Sequence, residues 1–207
     1  MAKATDTRER ILVIAESAIL EKGFGATSIE EIIAAAGITK SGFFYHFADK
    51  TMLAREILVR YLVEEERLMD SIFDRARELV DDPLQGFLAG LKMLAEAMYD
   101  LPANHPGCLV ATYCYQERLF DREVRQMMRH GALAWRKRFL ATLDEIETIY
   151  PPRDKVDREA LADMVNAVVE GGIVMAKALD DPRALGDQVM LFRTFVKLLY
   201  SPQAAAA

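Results

Sequence analysis

Residues 27–58 read TSIEEIIAAAGITKSGFFYHFADKTMLAREIL, and the deciding feature is Gly37, which separates two short apolar-periodic stretches. Before it, Ile29, Ile32 and Ile33 share one helical face, with two overlapping capping boxes at the start, Thr27-x-x-Glu30 and Ser28-x-x-Glu31. After it, Thr39 is placed to cap a second short helix that runs through Tyr45 and His46. Helices of about two turns are marginal alone and exist only when neighbours pack them. Two of them around a tight glycine turn predict a helix-turn-helix. Ile29, Ile32, Ile33, Ile38 and one or more of Phe43, Phe44 and Phe47 would face a small core. Thr39, Lys40, Ser41, Gly42, Tyr45 and His46 would then point outward: small donors, a cation and an aromatic, suited to phosphate oxygens and a groove. Lys50 begins the next helix, beside backbone N–H groups that also attract phosphate.

Working outward, the periodicity is helical nearly everywhere and glycine and proline fall between the periodic stretches. A first helix is expected from about Thr7 to Lys22, ended by Gly23 and Gly25. A long helix follows Asp49 and reaches toward Leu79. Further amphipathic helices are expected near 84–100, 106–118, 121–149, 157–180 and 184–200, with proline at several breaks, and Ala204–Ala207 is expected to fray. The reading is all-α, about nine helices: a three-helix head within residues 1–50 and a larger bundle over 51–207.

The chain of 207 residues carries 26 Lys and Arg against 32 Asp and Glu, a balance of −6 that taken whole argues against nucleic acid. The charge is uneven, however. Residues 1–60 hold eight basic and eight acidic side chains, so the whole excess of acid lies after residue 60. Such asymmetry suggests that the two parts meet different partners. Two cysteines are too few for a disulfide framework and suit a reducing compartment. The apolar stretch from Ile11 to Leu20 is interrupted by Glu16 and Ser17, which does not suit a signal peptide, and no stretch is long enough to span a membrane. A cytoplasmic protein is expected.

Residues 8–60, above all 27–58, resemble the DNA-binding domain of the TetR family of transcriptional regulators. The likeness rests on the Gly23-Phe24 and Thr27 segment, Ile32-x-x-x-Ala36-Gly37-Ile38 and Phe47-x-x-Lys50-x-x-Leu53. It implies that Thr27 caps the first helix of the motif and bonds a phosphate. It places Thr39, Lys40, Ser41 and Gly42 at the start of a recognition helix in the major groove. Tyr45 and His46 fall at backbone and base contacts, and Lys50 at a phosphate. Phe44 stands where the family usually has a tyrosine, so one phosphate-bonding hydroxyl is missing there, and Tyr45 is placed to substitute.

In the acidic remainder, apolar residues recur on more than one face of 157–180 and 184–200, which predicts burial on more than one side. Leu161, Val165, Val168, Gly172, Phe192, Phe195 and Leu199 are the expected dimer contacts, and Gly171-Gly172 would permit close approach. The resemblance implies the same, a homodimer formed by the last two helices. Two heads about 34–36 Å apart could then read a palindromic operator in double-stranded DNA. Candidate walls for a small-molecule effector are Phe87, Leu91, Met98, Tyr99, Cys108, Tyr113, Trp135, Phe139 and Met175, with Gln116, Glu117, Arg118 and Asn166 as polar anchors.

No cofactor or metal is implied: His105 and Cys108 stand three apart, but no second ligand pair has zinc-like spacing. No nucleophile elbow, phosphate loop, dinucleotide fingerprint or HExxH motif occurs, which argues against an enzyme. The leading expectation is a homodimeric repressor released by a small ligand. One alternative is a repressor that senses electrophiles or oxidants through Cys108, since a thiol near a helix N-terminus loses protons more readily. Another is a ligand-binding bundle whose first domain contacts protein.

Overall fold

Side-chain caps start most of these helices. Ser28 accepts from the Glu31 amide at 3.1 Å, Thr39 from Gly42 at 3.1 Å and Asp49 from Met52 at 2.7 Å. Asp82 and Asp157 do the same for Gln85 and Ala160, at 2.8 and 2.9 Å. Each satisfies an otherwise orphaned N–H of the first turn. The computed structural model describes residues 2–102 and 107–200. His105 and Ala204–Ala207 lie outside the described residues.

Among the described residues there are nine α-helices and no strand: α1 Ala2–Lys22, α2 Ile29–Ala36, α3 Lys40–His46, α4 Lys50–Leu79, α5 Pro83–Tyr99, α6 Leu109–Tyr115, α7 Arg122–Glu147, α8 Arg158–Leu179 and α9 Ala184–Tyr200. The segment expected as one helix over 106–118 is instead α6 followed by a 3₁₀ turn, Glu117–Leu119. The break falls at Gln116, whose backbone leaves helical values (φ −119°, ψ 27°).

Packing divides the chain differently from the expected boundary after residue 50. One unit comprises 1–65 with 106–131, and the other 66–105 with 132–207, so α4 and α7 each contribute to both. The physical reason is a shared core. Ile11, Ile19, Phe24, Ile32, Phe43, Phe47 and Leu58 of the N-terminal segment are buried together with Leu109, Tyr113, Phe120 and Val124. The second unit has its own core from α4, α5, α7, α8 and α9, centred on Phe73, Phe87, Leu91, Phe139, Val165 and Phe192.

The second core corrects the expected dimer contacts. Leu161, Val165, Gly172, Phe192 and Leu199 are buried inside their own unit, and Val168 is half-buried against the same core. Of the seven, only Phe195 is exposed. The apolar residues left in water are others: Val174, Met175 and Leu179 on α8, and Leu191 (63% exposed) and Leu198 (59%) on α9. Periodicity showed that these helices have two apolar sides; it could not show which side meets the chain's own core.

Gly171 and Gly172 likewise separate. A Cβ at Gly171 would meet open space, whereas one at Gly172 would lie 2.8 Å from Leu185 Cδ1 and 3.0 Å from Leu185 Cα. Backbone cannot yield as a side-chain tip can, so Gly172 is what lets α8 approach α9. Gly172→Ala is expected to destabilise this unit by about 1–3 kcal/mol despite alanine's better helix propensity, read as a lowered chemical-denaturation midpoint.

Asp82 links a cap to a distant ring. Its Oδ2 accepts from the Tyr150 hydroxyl at 2.5 Å while Oδ1 caps α5. The Tyr150 bond first, then the Gln85 amide, hold its carboxyl below the usual carboxylate range. A depressed folded-state value means the stabilisation is full above the unfolded value and is lost as pH falls through the folded one. Melting temperature should therefore drop below about pH 4, and less steeply in Asp82→Asn. Identical acid slopes for the two proteins would show that this carboxylate contributes nothing.

Candidate nucleic-acid interface

The helix-turn-helix is closed by backbone geometry that glycine supplies. Gly37 ends α2 in the left-handed region (φ 63°), its N–H donating to Ala34 O at 3.2 Å while Ile38 N–H reaches Ile33 O at 3.2 Å. That pattern satisfies the last carbonyls of α2 and turns the chain into α3. Phe43 and Phe47 then face inward and are fully buried, their ring centroids 5.8 Å apart, with the Arg8 guanidinium over Phe47.

What α3 leaves outside matches the sequence reading closely. Thr39, Lys40 and Ser41 are exposed, Gly42 and His46 half-buried, and Tyr45 stands 79% exposed with its ring edge-on to His46. Phe44 sits at 44% exposure, its ring edge against Phe43, and so belongs to the outer face more than to the core. The Thr39 oxygen caps α3 and also shares a hydrogen bond with Ser41 Oγ at 3.0 Å. Gly42 has a local role as well, since a Cβ there would lie 3.3 Å from the Thr39 hydroxyl.

Thr27 is corrected. It is buried, and its hydroxyl donates to Gly23 O at 3.0 Å, while Ser28 is the residue that caps α2. With two capping boxes in register, the one-residue shift put Thr27 inside the α1–α2 turn and removed it from any phosphate. Lys50 is half-buried: its ammonium donates to Phe24 O at 2.5 Å and lies 4.1 Å above the Phe24 ring. Desolvation lowers its pKa. An ammonium has three donors, so this bond leaves two for a phosphate.

The expected pocket residues do not converge. Phe87, Leu91 and Phe139 are buried core of the second unit, with Met98, Tyr99 and Trp135 packed against them, and Met175 is exposed. Tyr99 spends its hydroxyl on Asp187 Oδ1 at 2.5 Å. Cys108 and Tyr113 belong to the first unit instead. Tyr113 is fully buried, stacked on Phe120 and bonded to Ala54 O at 3.2 Å. Cys108 is only 7% exposed and caps α6, its sulfur facing the Ala111 amide at 3.5 Å. Burial of that kind favours an inert packing thiol over a sensor. Of the anchors, Asn166 lines an open cleft of about 300 Å³ beside Leu133, Arg136, Asp163 and Glu170. Among the described residues no group of three or more His, Cys, Asp or Glu is arranged to hold a metal ion.

Sequence reasoning missed Gln116 as a partner of the head. Its Oε1 accepts from the Gly25 amide at 2.9 Å, across 91 residues of chain. The two glycines at 23 and 25 were the available signal.

Comparison with known proteins fits this geometry. Residues 11–57, which span α2, α3 and most of α1, match the family described as bacterial regulatory proteins, tetR family. This segment of the chain is a TetR-family one. TetR-family proteins are DNA-binding transcriptional regulators rather than enzymes. The HTH-type transcriptional repressor BepR of Brucella suis biovar 1 (strain 1330) is 34% identical over 98 residues, covering 45% of this chain and 46% of that protein. The HTH-type transcriptional repressor DhaR of Mycobacterium sp. (strain GP1) is 22% identical over 173 residues, covering 84% of this chain and 83% of that one. In fold, the chain is similar to a TetR-family transcriptional regulator from Agrobacterium tumefaciens, with a TM-score of 0.78 at 21% identity, covering 96% of this chain and 100% of the other. None of its described helices is long and apolar enough to cross a membrane.

Lys50→Ala is expected to weaken binding to every duplex alike and to reduce the slope of log affinity against log salt by about one. Weaker binding at an unchanged slope would show that Lys50 acts only on the Phe24 carbonyl. Tyr45→Ala should instead change which sequences are preferred, read by selection from a random duplex library.

Proposed function

We propose that this TetR-family regulator is a homodimeric repressor that binds a palindromic operator and is released by a small molecule held in its second unit. The observation that carries the reading is the outer face of α3. Exposed Thr39, Lys40, Ser41 and Tyr45 stand on a helix whose opposite side is locked by buried Phe43 and Phe47. A rigid helix with small donors, a cation and an aromatic at its tip is built to enter a major groove and meet base edges.

A second copy of the chain is the occupant proposed for the exposed apolar residues of α8 and α9. Leu191, Phe195 and Leu198 recur at helical spacing on one stripe of α9. Val174 and the open Gly171 lie on α8, three residues apart. A self-complementary patch of this kind suits a two-fold dimer, and a palindrome needs two heads. For the effector, support comes from the cleft beside Arg136 and Asn166, whose volume of about 300 Å³ is at the lower end of small-molecule sites. An effector that binds one subunit arrangement more tightly than the operator-bound one would shift the population away from DNA.

The test is to sequence genomic duplex retained by the purified protein, then to screen compounds for its release. Retention of palindromic fragments is expected. Salt-insensitive capture of protein with no DNA would overturn the reading. The dimer has its own test: Leu191→Asp with Leu198→Asp should sediment as a monomer and lose operator affinity by about 100-fold or more, since the second head then no longer binds at high effective concentration. A dimer that survives both substitutions would place the interface elsewhere.

A further inference from the structure

The turn between α1 and α2 is held from outside the helix-turn-helix. Gly23 adopts φ 87°, and a Cβ there would overlap the Gln116 amide group. Gly25 donates its N–H to Gln116 Oε1 at 2.9 Å, and a Cβ on it would meet Leu119 Cδ1 at 3.1 Å. Between them Phe24 is buried, its ring centroid 4.5 Å from Phe120 and 6.1 Å from Tyr113. The Gln116 backbone is fixed on both sides, its main-chain N–H donating to Tyr113 O at 3.0 Å and its main-chain carbonyl accepting from Leu119 N–H at 2.9 Å. The two glycines are thus sites where the chain gives up side chains so that one amide from residue 116 can lie against the turn.

We infer that Gln116 is a positioning residue for DNA binding: by bonding the Gly25 amide it fixes the turn from which α2 and α3 project. The inference rests on the operator reading above. Gln116 touches no DNA in this scheme. The turn it braces is followed directly by Ser28, the cap of α2, and α2 is joined to α3 through the Gly37 turn. A turn released from the brace samples other orientations of the two helices. Affinity for a specific site falls in proportion to the fraction of heads in the competent orientation. Contacts to phosphate that any orientation can make are unaffected.

The experiment uses the full chain, an operator duplex recovered with the wild-type protein, and a random duplex of equal length. Gln116→Ala removes the acceptor, and Gln116→Met keeps the length and bulk without a strong acceptor. Both are expected to weaken operator binding about three- to tenfold, the range of one lost hydrogen bond. Random-duplex affinity and salt slope should stay unchanged, and exchange of the Gly25 amide should accelerate. Operator affinity within twofold of wild type in both variants would overturn the inference. So would an equal loss on both duplexes, or full recovery in Gln116→Met, which would reduce the role to filling space. If the wild-type protein retains no operator, the operator reading fails. Gly25 exchange then decides the brace alone: faster exchange in both variants supports it, and unchanged exchange removes it.

Discussion

The first unit depends on the burial of one ring. Phe24 sits in the turn between the first two helices, where the chain reverses at Gly23, and its ring is enclosed by Tyr113 and Phe120 from far along the sequence. Its carbonyl receives the Lys50 ammonium, which also lies on its face. One residue therefore ties α1, α4 and the α6–α7 segment together. Burying a phenylalanine stabilises by roughly 1.5–3 kcal/mol, and edge or offset ring pairs add about 0.5–1.5 kcal/mol each. Those magnitudes are large beside the marginal stability of helices only eight and seven residues long, α2 and α3. The reading helices are held in place by this cluster and its neighbours more than by their own propensity.

That arrangement explains why the unit that carries the reading helices is larger than its motif. A three-helix head cut after residue 50 would lose Leu53, Ile57 and Leu58 of α4 from its core, together with Leu109, Tyr113, Phe120 and Val124. Ion pairs add geometry on the same seam. Arg55 pairs with Asp121 and, at 2.8 Å, with Glu123, and Arg60 bridges Glu9 and Glu16 across α1 and α4. The Arg55 pairs are exposed and contribute little energy individually, whereas Arg60 and Glu16 are largely buried. Their effect is to orient helices whose apolar contacts already hold them.

Most of the fold was legible because helical signals are local. Capping residues, glycine stops and prolines marked α2 to α5, α8 and α9 to within a residue or two. The outer face of α3 was legible for the same reason: Phe43 and Phe47 had to turn in, which left Thr39, Lys40, Ser41 and Tyr45 out. Failures occurred where the answer depended on a partner distant in sequence. Thr27 and Ser28 offer equivalent capping chemistry, and only the buried turn selects between them. Leu161, Val165, Phe192 and Leu199 have the periodicity of a dimer face, but the same spacing serves an internal core. Tyr113 and Cys108 looked like pocket walls because the chain places them after α5, whereas packing assigns them to the other unit.

The overall charge of −6 shows the same limit in electrostatic form. A sum over the chain treats every charge alike, yet of the eight cations in residues 1–60 five are already engaged. Lys22 pairs with Glu31, Arg8 with Glu56, Arg55 and Arg60 with carboxylates, and Lys50 with a carbonyl. Lys40 stands exposed at the start of α3 beside two hydroxyls. Counterion release counts only the cations that reach phosphates, so affinity for DNA is governed by a few local side chains. On the operator reading, net acid elsewhere would act against nonspecific adhesion, because its long-range field repels the phosphate backbone until short-range contacts are in register. A regulator that must ignore most of a genome would gain selectivity from that opposition between a neutral N-terminal segment with an exposed Lys40 and an acidic remainder.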